Sequence, residues 1–257
     1  MATFQIEPRF FAAEDGTRLA WRELAPPSGD GRPVVLIHGY FSNAGVNWIR
    51  YGHAARIAAK GFRVIMPDLR GHGSSDKPHD PAFYLPDVLM RDGLALIAHL
   101  GLTDYDLGGY SLGARTTVRM LAGGTAPRRV VLAGMGLTGI VNTQGRGAYF
   151  RNVLTHLGSF KQGSSEWLTE ACLKTTHGDP VALLRILDTF VDTPVEAVRQ
   201  MAARTLVVAG AGDDDNGSAA ALADALPHAI YRATPGNHMS AVVKPELGQE
   251  IADFLAG

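Results

Sequence analysis

The chain begins with two segments in which apolar and polar positions alternate, separated by a four-residue turn. The first segment spans residues 6–13, the turn is Glu14-Asp15-Gly16-Thr17, and the second segment spans residues 18–24. Alternation is typical of a strand with one buried face, and Asp-Gly in the connection favours a hairpin turn. The pattern therefore predicts an antiparallel β-hairpin.

Further along, the apolar positions form short unbroken runs. The clear runs are residues 34–37, 64–66, 130–133 and 206–209, and a weaker run lies at residues 105–107. Runs this short without alternation suit strands that are buried on both faces of a parallel sheet. Helical patterns follow or separate them at residues 44–59, 88–100, 112–122, 218–226 and 246–255. This succession predicts an α/β fold with a doubly wound, mostly parallel sheet.

Residues 135–202 do not follow this succession. Their apolar residues, among them Trp167, Leu183, Ile186 and Phe190, have helical spacing, and no strand pattern occurs between them. We therefore expect a cap of helices inserted between two strands of the sheet. In this interpretation residues 1–134 and 203–257 form the core, and residues 135–202 form the helical cap.

Composition removes several classes of protein from consideration. Of 257 residues, 46% are hydrophobic and 19% charged, which is enough apolar side chain to exclude disorder. Lys plus Arg number 24 and Asp plus Glu 25, so the net charge of −1 gives no support for nucleic-acid binding. The one cysteine, Cys172, excludes an internal disulfide and a multi-cysteine zinc site. No signal-peptide or membrane-span pattern occurs, so we expect a cytoplasmic protein without a membrane partner. The composition gives no information on the oligomeric state.

The strongest chemical motif is Gly109-Tyr110-Ser111-Leu112-Gly113, which follows a short strand and begins a helix. A sharp turn from strand to helix holds the serine in a strained backbone conformation and exposes its hydroxyl above the sheet. The helix amino terminus also favours negative charge that develops nearby. The motif predicts Ser111 as a nucleophile.

A serine hydroxyl needs a base, and the base needs an acid that orients it. The candidate base is His238, which lies on a turn before the last helix, and the candidate acid is Asp213, just beyond the strand at residues 206–209. Groups beyond the carboxyl ends of strands commonly form active sites in such sheets. Asp214 and Asp215 follow directly and stay open as alternatives, but Asp213 lies closest to the rigid strand end.

These motifs and their chain order resemble the α/β-hydrolase fold superfamily over nearly the whole chain, in particular small cap-bearing serine hydrolases of the esterase or lactonase kind. His38-Gly39-Tyr40 and the segment at residues 67–75 also resemble family landmarks. The resemblance implies an eight-stranded sheet and an oxyanion hole formed by the backbone N–H groups of Tyr40 and Leu112. It also implies a reaction without a metal ion or an organic cofactor.

We therefore expect a serine hydrolase that forms an acyl-enzyme with a small, mostly apolar ester, lactone or thioester. A C–C bond hydrolase, a lyase or a perhydrolase are alternatives on the same triad, and a non-catalytic ligand receptor is an alternative on the same fold. A serine at position 111 argues against the branches with an aspartate nucleophile, which resemble dehalogenases and epoxide hydrolases.

Several side chains are candidates for the substrate pocket and its surroundings. The expected pocket residues are Tyr110, Leu137, Phe150, Trp167, Phe190 and Met239. Arg146 and Arg151 of the cap are expected to be solvated, with pairing to an acidic substrate group as the alternative. We expect His38, His72, Asp68 and Arg70 to hold loops through hydrogen bonds rather than to act on substrate.

One motif favours a different class of function. Residues 134–139 read Gly-Met-Gly-Leu-Thr-Gly and follow a predicted strand, which matches the glycine pattern of a dinucleotide-binding loop. Such a site needs an acidic residue about 20 residues further on, and residues 145–162 contain neither Asp nor Glu. A dinucleotide-binding oxidoreductase is therefore the weaker hypothesis, and we expect these glycines to lead from a strand into the cap.

Overall fold

The structure, a computed structural model, describes residues 6–257, and at its centre lies one eight-stranded sheet. The strands are β1 (Arg9–Ala12), β2 (Arg18–Leu24), β3 (Arg32–Ile37), β4 (Phe62–Pro67), β5 (Asp106–Tyr110), β6 (Arg129–Ala133), β7 (Arg204–Gly210) and β8 (Ala229–Thr234). Their order across the sheet is β1-β2-β4-β3-β5-β6-β7-β8. Strand β2 is antiparallel to β1 and β4, and all other neighbouring strands are parallel. The predicted fold class is confirmed.

Helices cover both faces of this sheet. They are α1 (His53–Ala59), α2 (Val88–His99), α3 (Leu112–Ala122), α4 (Leu137–Val141), α5 (Gln144–Thr155), α6 (Ser165–Thr175), α7 (Pro180–Leu187), α8 (Val195–Val198), α9 (Ala219–Ala225), α10 (His238–Ala241) and α11 (Pro245–Ala256). The apolar run of strand β3 is unbroken because both faces of the strand are covered by helices. Val34 and Leu36 pack with α1 and α11, whereas Val35 and Ile37 pack with α2 and α3 on the opposite face.

Two elements differ from what the apolar pattern predicts. The expected continuous helix at residues 44–59 is wrong: the segment forms a π-helical turn at Gly45–Ile49 and then helix α1, which begins after Gly52, a residue with a left-handed φ of +76°. Strand β8 has no unbroken apolar run because it is an edge strand, paired with β7 alone and exposing Ile230 (38%) and Tyr231 (37%).

The segment between β6 and β7 contains the five short helices α4 to α8, and its residues, all of which the structure describes, form no strand. It contacts the sheet loops directly, since the Tyr40 hydroxyl donates a 2.6 Å hydrogen bond to the Leu183 carbonyl oxygen on α7. The division into core and cap at residues 135–202 stays a prediction. No helix within residues 6–257 is long and apolar enough to cross a bilayer.

Candidate active site

Ser111 occupies the sharp connection between β5, which ends at Tyr110, and α3, which begins at Leu112. Its backbone has φ +54° and ψ −113°, a left-handed conformation that is strained for any residue with a β-carbon. Its N–H donates to the Ala133 carbonyl oxygen at 2.8 Å, so the neighbouring strand β6 fixes the turn. The serine is therefore held at the carboxyl edge of the sheet.

The two glycines of the motif allow this turn to pack closely. A β-carbon on Gly113 would lie 2.1 Å from the Ile37 carbonyl oxygen, and one on Gly109 would lie 2.3 Å from the Gly113 carbonyl carbon. Atoms cannot approach this closely without moving the backbone. Glycine at both positions therefore lets α3 start directly against β3 and β5.

The structure brings the three predicted catalytic side chains together in one hydrogen-bonded chain. Ser111 Oγ lies 3.1 Å from His238 Nε2, and His238 Nδ1 lies 3.0 Å from Asp213 Oδ2. Because the carboxylate accepts a hydrogen bond from Nδ1–H, Nε2 carries no proton and can accept the serine hydroxyl proton. His238 is the first residue of α10 and is buried. The geometry suits proton transfer from the serine to the histidine.

The three consecutive aspartates have different surroundings. The Asp213 side chain is 2% exposed and contacts His238 with both carboxylate oxygens. Asp215 instead accepts a 2.5 Å hydrogen bond from Arg146, and Asp214 lies exposed in the turn, where its carbonyl oxygen accepts from Gly217 N–H. Of the three, Asp213 is the one that the structure places against the histidine.

The two predicted oxyanion donors lie beside Ser111. Leu112 is the first residue of α3, so its N–H has no acceptor within the helix. Tyr40 and Leu112 line the same small cavity of about 10 Å³ as Ser111, here called the inner cavity. Gly39 N–H, in the loop that carries Tyr40, donates a 3.0 Å hydrogen bond to Asn47 Oδ1, which fixes the loop backbone. Their catalytic role stays a prediction.

Asn47 was not predicted from the sequence. It lies on the π-helical turn, and its buried side chain fixes the backbone that carries Tyr40. The available signal was a polar residue between Val46 and Trp48 in an otherwise apolar stretch. Insertions of this helical type are frequent at functional sites.

A larger cavity of about 400 Å³, here called the main pocket, opens beside Ser111 and His238. Of the predicted substrate residues, Tyr110, Phe150 and Met239 line it. Phe190 does not line the main pocket but lines the inner cavity. The wall of the main pocket also includes side chains that the sequence did not single out, namely Phe41, Val46, Tyr51, Cys172, Val242 and Val243.

The expectation that Leu137 and Trp167 line the pocket is wrong. Leu137 packs against the α8 and α9 side of the sheet, where its N–H also donates to the Ser218 carbonyl oxygen. On α6 it is Thr169, Cys172 and Thr175 that line the main pocket. Trp167, on the same helix, lines neither the main pocket nor the inner cavity.

The loop residues make the structural contacts expected of them. His38 Nε2 accepts the Leu69 N–H at 3.0 Å, and His72 Nδ1 donates to the Arg70 carbonyl oxygen at 2.9 Å. Burial lowers the pKa of His38, and burial lowers the pKa of His72 to about 3. Both imidazoles are therefore neutral near pH 7.

The scaffold acids and arginines are likewise paired. Asp68 accepts from Arg22 Nη1 at 2.7 Å and from Ala44 N–H at 2.8 Å. The buried Arg70 donates to Asp92 at 2.8 Å and to Asp15 at 2.5 Å. In the cap segment, Arg146 lines the main pocket but is paired with Asp215, and the half-exposed Arg151 lies 2.6 Å from Asp188.

The glycine run at residues 134–139 packs against the protein's own backbone. A β-carbon on Gly136 would lie 2.0 Å from the Gly217 carbonyl oxygen, and one on Gly139 would lie 2.6 Å from Met135 Sδ. The turn at Asn216 and Gly217 therefore occupies the space that a bound phosphate would need. The run begins α4 and leads from β6 into the helical segment, as expected.

Comparison with known proteins gives matches to one group. Residues 32–131 match the family described as alpha/beta hydrolase fold. An AB hydrolase superfamily protein of Bacillus subtilis is 35% identical over 94 residues, 37% of this chain and 33% of the relative. A non-heme haloperoxidase of Rhodococcus erythropolis is 33% identical over 116 residues, 44% of this chain and 38% of the relative. The chain thus spans between a third and two fifths of the length of these curated relatives.

A solved structure extends the likeness to the whole fold. The enol-lactonase from Burkholderia xenovorans has a TM-score of 0.74 and 23% sequence identity, covering 97% of this chain and 100% of that chain. The sheet order, the serine turn after β5 and the matched segment agree with this likeness. The chain therefore has the α/β-hydrolase fold.

Proposed function

We propose that this protein is a serine hydrolase that cleaves a carboxylic ester, lactone or thioester of a small, mostly apolar molecule. The observation that carries the proposal is the hydrogen-bonded chain from Ser111 Oγ through His238 to Asp213, with distances of 3.1 Å and 3.0 Å. A serine hydroxyl becomes a useful nucleophile only when such a base accepts its proton.

In the proposed reaction Ser111 Oγ attacks the substrate carbonyl carbon while His238 Nε2 accepts the hydroxyl proton. The backbone N–H groups of Tyr40 and Leu112 donate to the oxyanion of the tetrahedral intermediate; one such donor is typically worth about 3–4 kcal/mol. His238 then gives its proton to the leaving oxygen or sulfur, and the acyl group remains on Ser111. A water molecule, deprotonated by His238, releases the acid and restores the serine.

The main pocket supports a small substrate with apolar parts. Its volume of about 400 Å³ lies within the range of ligand pockets, roughly 300–1,000 Å³. Aromatic and aliphatic side chains form much of its wall, including Phe41, Phe150, Val242 and Val243. The likeness to an enol-lactonase supports the lactone as one of the candidate substrates.

The test is turnover of a panel of 4-nitrophenyl esters, lactones and thioesters of different acyl length by the wild type and by Ser111→Ala. We expect hydrolysis by the wild type and a loss of at least about 10³-fold in kcat for the variant. Ser159→Ala removes a serine from the exposed surface, where its hydroxyl bonds the His156 carbonyl oxygen, and should behave as the wild type. Equal turnover by Ser111→Ala would refute the proposal, and a folded wild type without turnover would favour the ligand-receptor alternative.

A further inference from the structure

Arg115 lies one helical turn after Ser111 on α3, and its backbone N–H donates to the Ser111 carbonyl oxygen at 3.0 Å. The residue is only 6% exposed. Within residues 6–257 its side chain makes one hydrogen bond, from Nε to the Gly139 carbonyl oxygen at 2.9 Å, and its guanidinium carbon lies 4.6 Å from the centroid of the Phe190 ring. A buried arginine usually pairs with a carboxylate, because an uncompensated charge is costly to bury.

Other arginines of this protein have such partners. Arg70, equally buried, is bonded to Asp92 and Asp15, and Arg119, one turn further along α3, is bonded to both carboxylate oxygens of Asp87. Asp192 is the acid whose charge raises the pKa of Arg115. Its carboxylate accepts the Thr143 N–H at 2.7 Å and makes no hydrogen bond with Arg115.

The guanidinium of Arg115 nevertheless carries a charge at neutral pH. Burial lowers its pKa from the ordinary arginine value to about 10, an effect that the charge of Asp192 opposes. Arg115 is therefore a buried cation that has no carboxylate within hydrogen-bond distance in the described part of the chain.

The cavities beside Ser111 have walls of one charge sign. Arg115 lines the inner cavity, Arg50 lines the main pocket, and Arg146 lines both. Arg146 is neutralised by Asp215, but Arg50 is exposed and has no ion pair among the described residues. Neither cavity has an acidic lining residue in residues 6–257. In a chain whose net charge is −1, this local excess favours an anion.

We propose that Arg115 binds a carboxylate carried by the substrate, so that the substrate is a small acidic ester, lactone or thioester. The proposal rests on the proposed function and names the substrate class of the same site. A carboxylate fits because its two oxygens match the parallel N–H groups of a guanidinium. Because Arg115 and Ser111 are one helical turn apart, the carboxylate lies near the carbonyl that Ser111 attacks.

The size of the inner cavity restricts the group further. Its volume of about 10 Å³ is that of one water-sized sphere, so the group that binds there must be small, and a planar carboxylate is smaller than a tetrahedral phosphate. A carboxylate requires the Phe150 or Phe190 ring on the cavity wall to rotate, which is a common side-chain adjustment on binding. The rest of the substrate then extends into the main pocket, past Tyr40 and Phe150, which line both cavities.

The test is isothermal titration calorimetry of the full chain carrying Ser111→Ala, with succinate and its neutral isostere succinamide at constant ionic strength and pH 7. We expect succinate to bind at least about tenfold more tightly than succinamide. Arg115→Met, added to Ser111→Ala, should reduce that ratio to less than about threefold, and Arg115→Lys should retain part of it. Arg151→Met removes an arginine that lines neither cavity and should leave the ratio unchanged.

Equal affinity for succinate and succinamide, or a succinate preference that survives Arg115→Met, would overturn the proposal. Thermal unfolding checks that each variant folds. If Arg115→Met does not fold, the comparison is repeated with Arg115→Gln, which keeps an N–H donor for the Gly139 carbonyl oxygen. Because the titration needs no turnover, its failure is distinct from failure of the ester panel, which tests the serine hydrolase itself.

Discussion

The Tyr110 hydroxyl donates a 2.6 Å hydrogen bond to the carbonyl oxygen of His238, and the two rings lie 5.3 Å apart. Tyr110 directly precedes Ser111, so the strand that carries the proposed nucleophile also holds the backbone of the proposed base. Burial raises the pKa of Tyr110 well above its ordinary value, and the charges of Asp213 and Asp215 raise it further. The hydroxyl therefore stays protonated and remains a donor.

Tyr110→Phe removes this anchor while keeping the ring. We expect kcat to fall about tenfold and the free energy of unfolding to fall by about 1 kcal/mol, since the His238 carbonyl oxygen loses its donor. Tyr84→Phe is the matched control, because the Tyr84 hydroxyl donates an equally short 2.6 Å bond to the Pro78 carbonyl oxygen away from the site. A similar loss of kcat in both variants would show that the anchor does not position His238.

The three adjacent aspartates allow a sharper test of the orienting acid. Asp213→Asn keeps the shape of the side chain but allows the wrong histidine tautomer, so kcat should fall by up to about 10⁴-fold. Asp214→Asn and Asp215→Asn should each cost less than about tenfold, because Asp214 is exposed and Asp215 is bonded to Arg146. Steady-state kinetics on one ester compares them. A large loss of kcat in Asp214→Asn, or only a small loss in all three variants, would contradict the assignment of Asp213 as the orienting acid.

Two helical glycines test the packing of the serine turn. Gly113→Ala places a β-carbon 2.1 Å from the Ile37 carbonyl oxygen and should lower the free energy of unfolding by at least about 2 kcal/mol. Gly147→Ala lies on α5, where a β-carbon meets nothing within 4 Å, and should raise it by about 0.5–1 kcal/mol. Urea unfolding measures both. A neutral Gly113→Ala would mean that α3 does not start as close to β3 as described.

His72 makes stability depend on pH in a defined direction. Its pKa is about 3 in the folded protein and 6.5 ordinarily, so between these values the unfolded chain binds the additional proton. The contribution of His72 is therefore present above pH 6.5 and is lost as the pH falls, by about 2 kcal/mol at pH 5.

The corresponding measurement is the loss in free energy of unfolding between pH 7 and pH 5. His72→Asn keeps an N–H donor for the Arg70 carbonyl oxygen but cannot take up a proton, so its loss should be about 2 kcal/mol smaller than that of the wild type. The same loss in both proteins would show that His72 is not buried in the neutral form.

The sequence predicted those features that local pattern and chain order determine. Strands buried on both faces need unbroken apolar runs, which is why β3, β4, β6 and β7 were found, and α3 lies at the predicted residues 112–122. The choice of Ser111 and His238, whose side chains the structure brings within 3.1 Å of each other, likewise follows from a motif and its context.

Features that depend on contacts between distant segments were not predictable. The start of the π-helical turn contacts a distant segment, since Ala44 N–H donates to Asp68, 24 residues away. The orientation of Trp167 depends on how α6 is rotated against the sheet, which a helical spacing cannot give. Arg115 was visible as a charge on α3, but that it lacks a carboxylate partner is a property of the folded chain.

The central claim is that Ser111 is an activated nucleophile, and the most direct measurement is covalent labelling by a fluorophosphonate followed by intact and peptide mass analysis. We expect one adduct, located at Ser111, in the wild type, and no adduct in Ser111→Ala; labelling should be much slower in Asp213→Asn. An unchanged mass after prolonged exposure of folded protein, or an adduct on a different serine, would contradict the account.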